Sequence, residues 1–176
     1  MPKEIVFPLQ EHIHVEAGEM VLLTGVIYTA RDAAHKKLVE MLKSGEQPPF
    51  PFENELVYYA GPSPAPPKKI IGSVGPTTSG RMDAYSPFLI EHGLKFMLGK
   101  GGRSNDVEKA TKKHGGVYFC TVGGAGALIS NCVKSCEIVA FPELGTEAVR
   151  KLVVEKIPAI AVITSACRED SEKAEN

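Results

Sequence analysis

The sequence lacks a large net charge, a long apolar run and the pattern of a secretory signal at its first residues. Its 20 lysines and arginines nearly balance 21 aspartates and glutamates, which argues against a general binder of nucleic acid or of membrane surfaces. No apolar stretch approaches the length of about 18 residues that a transmembrane helix needs. Residues 1–5 lack the basic-then-apolar order of a secretory signal, so we predict a cytoplasmic protein.

The four cysteines also lack a paired motif. Cys120, Cys132, Cys136 and Cys167 show no C-x-x-C spacing, which argues against a metal or cluster site built by this chain alone. In a reducing compartment disulfides are not expected either. We therefore predict that the cysteines are small buried apolar residues and that the chain itself holds no metal.

The chain is long enough for a core of its own. Its 176 residues suit a single domain, which we place at residues 1–167, followed by a frayed charged tail at 168–176. Dense proline in residues 61–67 cannot join a helix or a central strand, so this stretch is predicted to be an extended surface loop.

Apolar runs alternate with helical patterns along the rest of the chain. Helices are predicted from a Thr29 cap to about Lys43, from a Ser104 cap to the glycines at 115–116, and over 125–132. Strands are predicted at residues 20–28, 56–60, 70–74, 94–98, 117–122, 138–141, 152–155 and 159–164. This order indicates an α/β fold with some parallel pairing and a second, antiparallel layer.

The stretch G-P-T-T-S-G-R-M-D at residues 75–83 is the most informative one. Glycines and a proline force a tight turn after a predicted strand, and Thr77 and Thr78 add two hydroxyls. Arg81 supplies a planar fork that fits a carboxylate or a phosphate. Anion binding and a simple capped turn with a surface arginine are both compatible with this pattern.

A second candidate begins at the predicted helix cap. Thr29 and Asp32 have the spacing of a capping box, and Arg31 and His35 flank Asp32 along the same segment. A histidine with small alanine neighbours can exchange protons or donate a hydrogen bond to a bound acid. A hydrogen-bonded helix histidine without a catalytic role is the alternative.

Three weaker candidates remain. Lys100 and Arg103 lie in a glycine-rich turn that lacks the spacing of a phosphate-binding P-loop. Gly124 belongs to a second glycine-rich turn, where the third glycine of a dinucleotide fingerprint is missing, so close packing or part of an anion pocket is favoured. Lys151 falls at the start of a predicted strand, where a solvated charge is the ordinary interpretation.

Together the motifs resemble one family over roughly residues 4–165. These are T-x-R-D-x-x-H at 29–35, G-P-T-T-S-G-R-M-D at 75–83, G-K-G-x-R-S at 99–104 and P-E-L-G-x-E-A at 142–148. The chain resembles the β subunit of iron–sulfur-dependent class I fumarate hydratases and L(+)-tartrate dehydratases. The resemblance implies a swivelling β/β/α three-layer domain with mixed sheets, and a hydro-lyase that adds water reversibly to fumarate to give (S)-malate.

The resemblance also implies a partner and a set of residue roles. A larger α subunit of about 280 residues would hold a [4Fe–4S] cluster with three cysteines, and the two subunits would form a heterotetramer. His35 and Arg81 match catalytic positions, while Thr77, Thr78, Arg81 and Lys151 match a carboxylate-binding set. Arg31, Asp32, Lys100, Arg103 and Gly124 are further pocket candidates.

Two alternatives stay open at this stage. A tartrate dehydratase β subunit is the nearest one, and the resemblance implies that residues 80–83 together with Lys151, which fit the fumarate hydratases better, favour fumarate over tartrate. A non-catalytic small-anion-binding domain of the same fold is the other, and the intact set of Arg81, His35 and Lys151 argues against it.

Overall fold

A computed structural model describes residues 1–121 and 125–165 of the chain. The candidate Gly124, the cysteine at 167 and the predicted tail at 168–176 lie outside the described residues. The helices that the model describes, the longest of which has 12 residues, are too short or too polar to cross a membrane.

The described residues include seven strands, four α-helices and two 3₁₀ segments. The strands are β1 Lys3–Phe7, β2 Met20–Thr29, β3 Leu56–Tyr58, β4 Phe96–Gly99, β5 Val117–Cys120, β6 Val133–Ala140 and β7 Val149–Thr164. The α-helices are α1 Asp32–Lys43, α2 Ser86–Glu91, α3 Asn105–Lys113 and α4 Gly126–Ser130. The 3₁₀ segments are Ser79–Met82 and Pro142–Glu147.

The strands form one hydrogen-bonded mixed sheet in the order β1-β2-β3-β4-β5-β7-β6. Strands β1 to β5 are parallel to one another, whereas β7 is antiparallel to β2, β5 and β6. Because β2 also pairs with β7, the strands from β2 through β5 to β7 close into a ring. The predicted mixture of parallel and antiparallel pairing in an α/β fold is confirmed.

Alternate residues of the central strands enter two different apolar clusters. On β3, Leu56 and Tyr58 join the cluster shared with β1, β2 and β7, whereas Val57 joins the cluster shared with the helices. Burial of each large apolar side chain in these two clusters contributes on the order of 2 kcal/mol to the free energy of unfolding. The helix-side cluster includes Leu38 of α1, Leu89 of α2 and Val107 of α3. The short central strands β3 and β4 are therefore buried on both faces.

The last strand corrects the sequence prediction. Two strands separated by Pro158 were expected, but β7 runs without interruption through Pro158. The proline is tolerated because β6 pairs with β7 only as far as Val154 and β5 only from Ile160 onward. Pro158 lies between these two partners, where the side of β7 facing away from β2 needs no ladder N–H group.

Two further predictions are wrong. Thr29 is the last residue of β2 and does not cap α1, because its Oγ1 accepts a hydrogen bond from the Arg150 amide at 3.2 Å. Residues 70–74 form no strand, although Ile71 and Val74 are buried in the sheet core. The Ser104 cap of α3 is confirmed, since its Oγ accepts a hydrogen bond from the Val107 amide at 3.3 Å.

The parallel strands bring several of the motif-bearing turns of the sequence to one edge of the sheet. The carboxyl ends of neighbouring parallel strands lie at the same edge of a sheet, which is where α/β folds bind ligands. Here β2 leads into Arg31, β3 into Tyr59, and β4 into Lys100. The turn at residues 75–83 packs onto the same edge, through contacts with Tyr59 and Lys100.

Candidate active site

The turn at 75–83 is fastened to the ends of two strands. The Thr77 amide donates to the Tyr59 carbonyl at 2.7 Å, which attaches the turn to the end of β3. The Ser79 amide donates to the Lys100 carbonyl at 2.9 Å, and Ser79 Oγ accepts from the Lys100 amide at 3.0 Å. The backbone around Arg81 is thus held beside the residue that follows β4.

Gly99 permits this close approach. A Cβ atom at Gly99 would collide with Ser79 Oγ and come within 2.9 Å of the Tyr59 ring. Glycine is therefore required where β4 ends, because any side chain would push the turn away from the strand. The first glycine of the G-K-G-x-R-S motif has a packing role that its spacing alone did not reveal.

Arg81 extends from this turn towards Asp32 at the start of α1. Arg81 Nε and Nη2 lie 3.0 Å and 2.9 Å from the same oxygen, Asp32 Oδ2. The Arg81 side chain is 51% exposed, and Nη1 has no hydrogen-bond partner within the described part of the chain. Asp32 orients the guanidinium while leaving much of its donor edge open to solvent.

Two buried polar atoms beside Arg81 lack partners among the described residues. One is the acceptor Asp32 Oδ1, and the other is the donor Arg31 Nε. Arg31 Nε lies 4.0 Å from Glu147 Oε1, which is too long for a hydrogen bond. Its Cδ packs so closely on Gly61 that a Cβ there would be 2.8 Å away. Buried polar atoms of this kind are normally satisfied, so they mark a place for a ligand or water.

His35 is buried beneath this group of charges. Its Nδ1 lies 2.8 Å from the Arg31 carbonyl oxygen, which can only accept, so Nδ1 carries the proton. Burial lowers the pKa of His35 to about 4, the Arg31 carbonyl opposes this change, and the charge of Arg103 adds to it. The imidazole edge packs on the Tyr59 ring with centroids 5.2 Å apart. His35 is therefore a neutral imidazole at physiological pH.

Arg103 occupies the interior, not the open edge. Its side chain is 0% exposed, and Nε donates to Asp83 Oδ1 at 2.8 Å. Nη2 donates to Ser86 Oγ at 2.9 Å and to Tyr59 Oη at 3.2 Å. The guanidinium lies over the Tyr59 ring at 5.1 Å and over the Tyr118 ring at 4.8 Å. Its donors are directed at the protein, away from the surface where a ligand would bind.

The two candidate lysines lie in different surroundings. Lys100 is half-buried next to Thr78, with which it forms an isolated parallel bridge, and takes no ion-pair partner within residues 1–121 and 125–165. Lys151 pairs in register with Tyr28 on β2 and with Glu137 on β6. It lowers the pKa of the buried Glu55 carboxyl, against the larger effect of burial, which raises it.

The structure therefore brings together most of the predicted residues but not all of them. Residues that share the open edge are Thr77, Thr78, Arg81, Asp32, Arg31 and Lys100. Lys151 makes no hydrogen bond or ion pair with this group in the part of the chain that is described. Gly124 lies outside the described residues, so its predicted place in the pocket stays a prediction.

Several residues of the site were not identified from the sequence. Asp83 belongs to the quoted motif but received no role, and it accepts hydrogen bonds from both Arg103 Nε and the Ser104 amide. Tyr59 and Tyr118 gave no signal, because aromatic residues in apolar strands are ordinary core residues. The clue in the sequence was the aspartate that ends G-P-T-T-S-G-R-M-D, a carboxylate two residues after Arg81.

The described residues do not fit a metal or iron–sulfur site of their own. In the described ranges no three histidine, cysteine or acidic side chains converge. Cys120, Cys132 and Cys136 carry free thiols and are half-buried, so the expectation that they are buried is only partly met. Burial raises the pKa of Cys132 and Cys136, which disfavours the thiolate form that binds iron.

Fold and site together define a mixed α/β domain in which a turn at the carboxyl edge of the parallel strands presents the half-exposed Arg81 guanidinium. The family described as Fumarase C-terminus matches residues 8–170, and the chain belongs to this family. The family predicted from the four motifs is therefore confirmed.

Curated relatives carry related names. The chain is 45% identical over 148 residues to Fumarate hydratase 2 of Leishmania major, covering 83% of this chain and 26% of that protein. It is 42% identical over 163 residues to the anaerobic class I fumarate hydratase of Escherichia coli, covering 92% and 29%. The chain thus spans less than a third of the fumarate hydratases that it matches.

A relative of similar length has a different name. The chain is 40% identical over 153 residues to the putative L(+)-tartrate dehydratase subunit beta of Methanocaldococcus jannaschii. The aligned region covers 84% of this chain and 78% of that subunit. The region that matches this chain therefore occurs in some relatives as part of a longer chain and in another as most of a protein named as a separate subunit.

Proposed function

We propose that this chain is the β subunit of a class I fumarate hydratase, a hydro-lyase that interconverts fumarate and (S)-malate. The observation that carries the proposal is the Arg81 guanidinium, half exposed and held on one edge by Asp32. Both substrate and product are small dicarboxylates, and a preorientated guanidinium fork is the side chain best suited to bind a carboxylate.

Neighbouring groups complete a binding site for a dianion. Thr77 and Thr78 would add hydroxyls near Arg81, and Lys100, whose backbone is held to the same turn by Ser79, would add a cation. Positive charge at these positions would also stabilise the extra negative charge that develops on a carboxylate when the adjacent carbon loses its proton. The Thr77 amide is already used by Tyr59, so the threonine side chains would contact the ligand.

Lys100 is a better candidate than Lys151 for the second carboxylate. Lys100 pairs in register with Thr78, whereas the neighbours of Lys151 include Tyr28, Glu137 and Glu55. The predicted role of Lys151 in substrate binding stays a prediction, and direct comparison of the two lysines would test it.

His35 would act as a neutral hydrogen-bonding group in this proposal. With Nδ1–H directed at the Arg31 carbonyl, Nε2 is the nitrogen left to accept a proton or a hydrogen bond. Because burial lowers the pKa of His35 to about 4, it would not serve as an imidazolium acid near neutral pH. We propose that His35 orients the substrate or the residues around it.

The remaining parts of the active site would come from a partner. No three histidine, cysteine or acidic side chains converge among the described residues, and we propose that an α subunit of about 280 residues holds the [4Fe–4S] cluster with three cysteines. When bound there, the cluster would supply a Lewis acid for the substrate hydroxyl. A cytoplasmic heterotetramer, and the swivelling three-layer arrangement of this domain, belong to the same proposal.

A tartrate dehydratase β subunit is the second candidate. The relative named as that subunit has a length similar to this chain, whereas the fumarate hydratases are much longer. Both reactions remove water from a hydroxydiacid, so Arg81 and Lys100 would serve either substrate in the same way.

Co-expression with an α subunit would test the proposal. The gene product to pair is the α-type chain from the same source, purified without oxygen and assayed with fumarate, (S)-malate and L(+)-tartrate. We expect malate formation from fumarate to exceed dehydration of tartrate by at least about tenfold in kcat/KM. Preference for tartrate would support the second candidate, and turnover of neither acid would reject both.

A further inference from the structure

Arg103 connects the two segments that carry the proposed binding groups. Asp83, its ion-pair partner, closes the turn that contains Arg81, and Arg103 itself lies three residues after Lys100. We propose that Arg103 is a positioning residue, which acts from inside the fold to hold Arg81 and Lys100 in the arrangement that binds a dicarboxylate. This inference rests on the proposed function for the identity of the ligand.

The first argument is the way in which the turn is anchored. Its beginning is fixed to the end of β4 by the hydrogen bonds between Ser79 and Lys100. Its end is fixed because the Asp83 carboxylate accepts from Arg103 Nε at 2.8 Å and from the Ser104 amide at 2.7 Å. Arg81 lies between these two anchors, so its direction relative to Lys100 depends on both of them.

The second argument is that the Arg103 guanidinium supports the walls of the site. It lies over Tyr59, whose carbonyl accepts from the Thr77 amide and whose ring packs on His35. It also lies over Tyr118, whose hydroxyl donates to the Gly101 carbonyl at 2.7 Å and lies 2.8 Å from Ser79 Oγ. Removing the guanidinium would loosen both rings and the backbone segments that they hold.

The third argument is the cost of placing a charge there. A guanidinium with no exposed side-chain area is desolvated, and such a charge is retained only when ion pairing and hydrogen bonds compensate. Nε, Nη1 and Nη2 all have partners, including the Met97 sulfur at 3.6 Å from Nη1. Lysine offers neither the planar face nor the divergent donors, so this site is specific for arginine.

The inference predicts a kinetic signature in the assembled enzyme. In Arg103→Lys, and in Asp83→Asn as a second variant, we expect KM for the dicarboxylate to rise at least about tenfold while kcat changes less than about threefold. A merely structural role would reduce the amount of active enzyme and leave KM of the surviving fraction unchanged. Lys112→Met is the matched control, because the one ion pair of this α3 cation within residues 1–121 and 125–165 is with Glu108 on its own helix.

Amide hydrogen exchange on the same complexes provides a readout that does not depend on turnover. We expect the Thr77 and Ser79 amides to exchange about tenfold faster in Arg103→Lys, with the amides of β7 unchanged. If the wild-type complex hydrates no fumarate, the proposed function fails, while the exchange comparison still decides the positioning role. Unchanged exchange at Thr77 and Ser79, or equal acceleration throughout the chain, would overturn the inference.

Discussion

Arg81 and Arg103 lie in neighbouring motifs and each pairs with one aspartate, but their surroundings are opposite. The Arg81 side chain is 51% exposed and its partner Asp32 is 33% exposed. The Arg103 side chain is 0% exposed and its partner Asp83 is 17% exposed. Arg81 keeps a donor edge open towards solvent, whereas the donors of Arg103 are directed at protein atoms.

This difference in exposure suits Arg81 to binding a ligand and Arg103 to supporting the site from inside the fold. An exposed ion pair in high dielectric contributes little to stability, so the open edge of its guanidinium can be given to an anion while Asp32 holds the other edge. A buried ion pair cannot lose one member without leaving an uncompensated charge. The same residue type therefore serves two purposes in one site, and solvent access decides which.

The largest expected effect on stability comes from removing Arg103, the buried arginine of the two. Arg103→Met leaves Asp83 without its cation, so we expect the free energy of unfolding to fall by about 3–5 kcal/mol. Arg81→Met removes only an exposed pair and should cost about 1 kcal/mol or less. Urea unfolding of both purified variants measures the difference. Equal losses in the two variants would show that burial does not distinguish them.

His35 provides a pH-dependent form of the same comparison, because burial holds its pKa at about 4, below the ordinary value of 6.5. Above pH 6.5 His35 is neutral in both the folded and the unfolded state, and its contribution to the free energy of unfolding is fully present. Between pH 6.5 and 4 only the unfolded state binds the proton, so stability should fall by about 3 kcal/mol in total. Urea unfolding of wild type and His35→Asn across this range measures that contribution, which the variant should lack. Parallel pH profiles for the two proteins would contradict it.

The smallest expected effect is the difference in KM between variants of the two lysines, Lys100 and Lys151. Lys100→Met removes the cation beside Thr78, so we expect KM for the dicarboxylate to rise by about tenfold in the assembled enzyme. Lys151→Met removes a cation that faces Tyr28, Glu137 and Glu55, and should change KM by less than about twofold. Steady-state kinetics of both variants provides the test, and the reverse order would restore Lys151 to the binding set.

Much of the fold could be predicted because its signals are local. The Ser104 cap and the end of α1 near Lys43 follow from residues within one helical turn. The prediction for Pro158 was wrong because tolerance of a proline depends on which strands border it, and β5 and β6 come from distant sequence. Residues 70–74 have the composition of a strand, but Ser73 and Val74 form backbone hydrogen bonds with Ser63 and Gly126, neither of which lies in a strand.

The site shows the same limit. Thr77, Thr78 and Arg81 could be predicted because one motif contains all three. The pairing of Arg81 with Asp32 joins residues far apart in sequence, and periodicity carries no information about it. Likewise, Arg103 stands in a glycine-rich turn that suggests exposure, whereas the rings of Tyr59 and Tyr118 enclose it.

The most direct test of the account is the activity of Arg81→Lys in the complete α and β assembly. The substitution keeps the charge but removes the fork that Asp32 orients, so kcat/KM for fumarate should fall by more than about tenfold. Lys112→Met, assembled in the same way, should retain wild-type activity. Near-normal kcat/KM in Arg81→Lys would contradict the claim that this turn binds the substrate carboxylate.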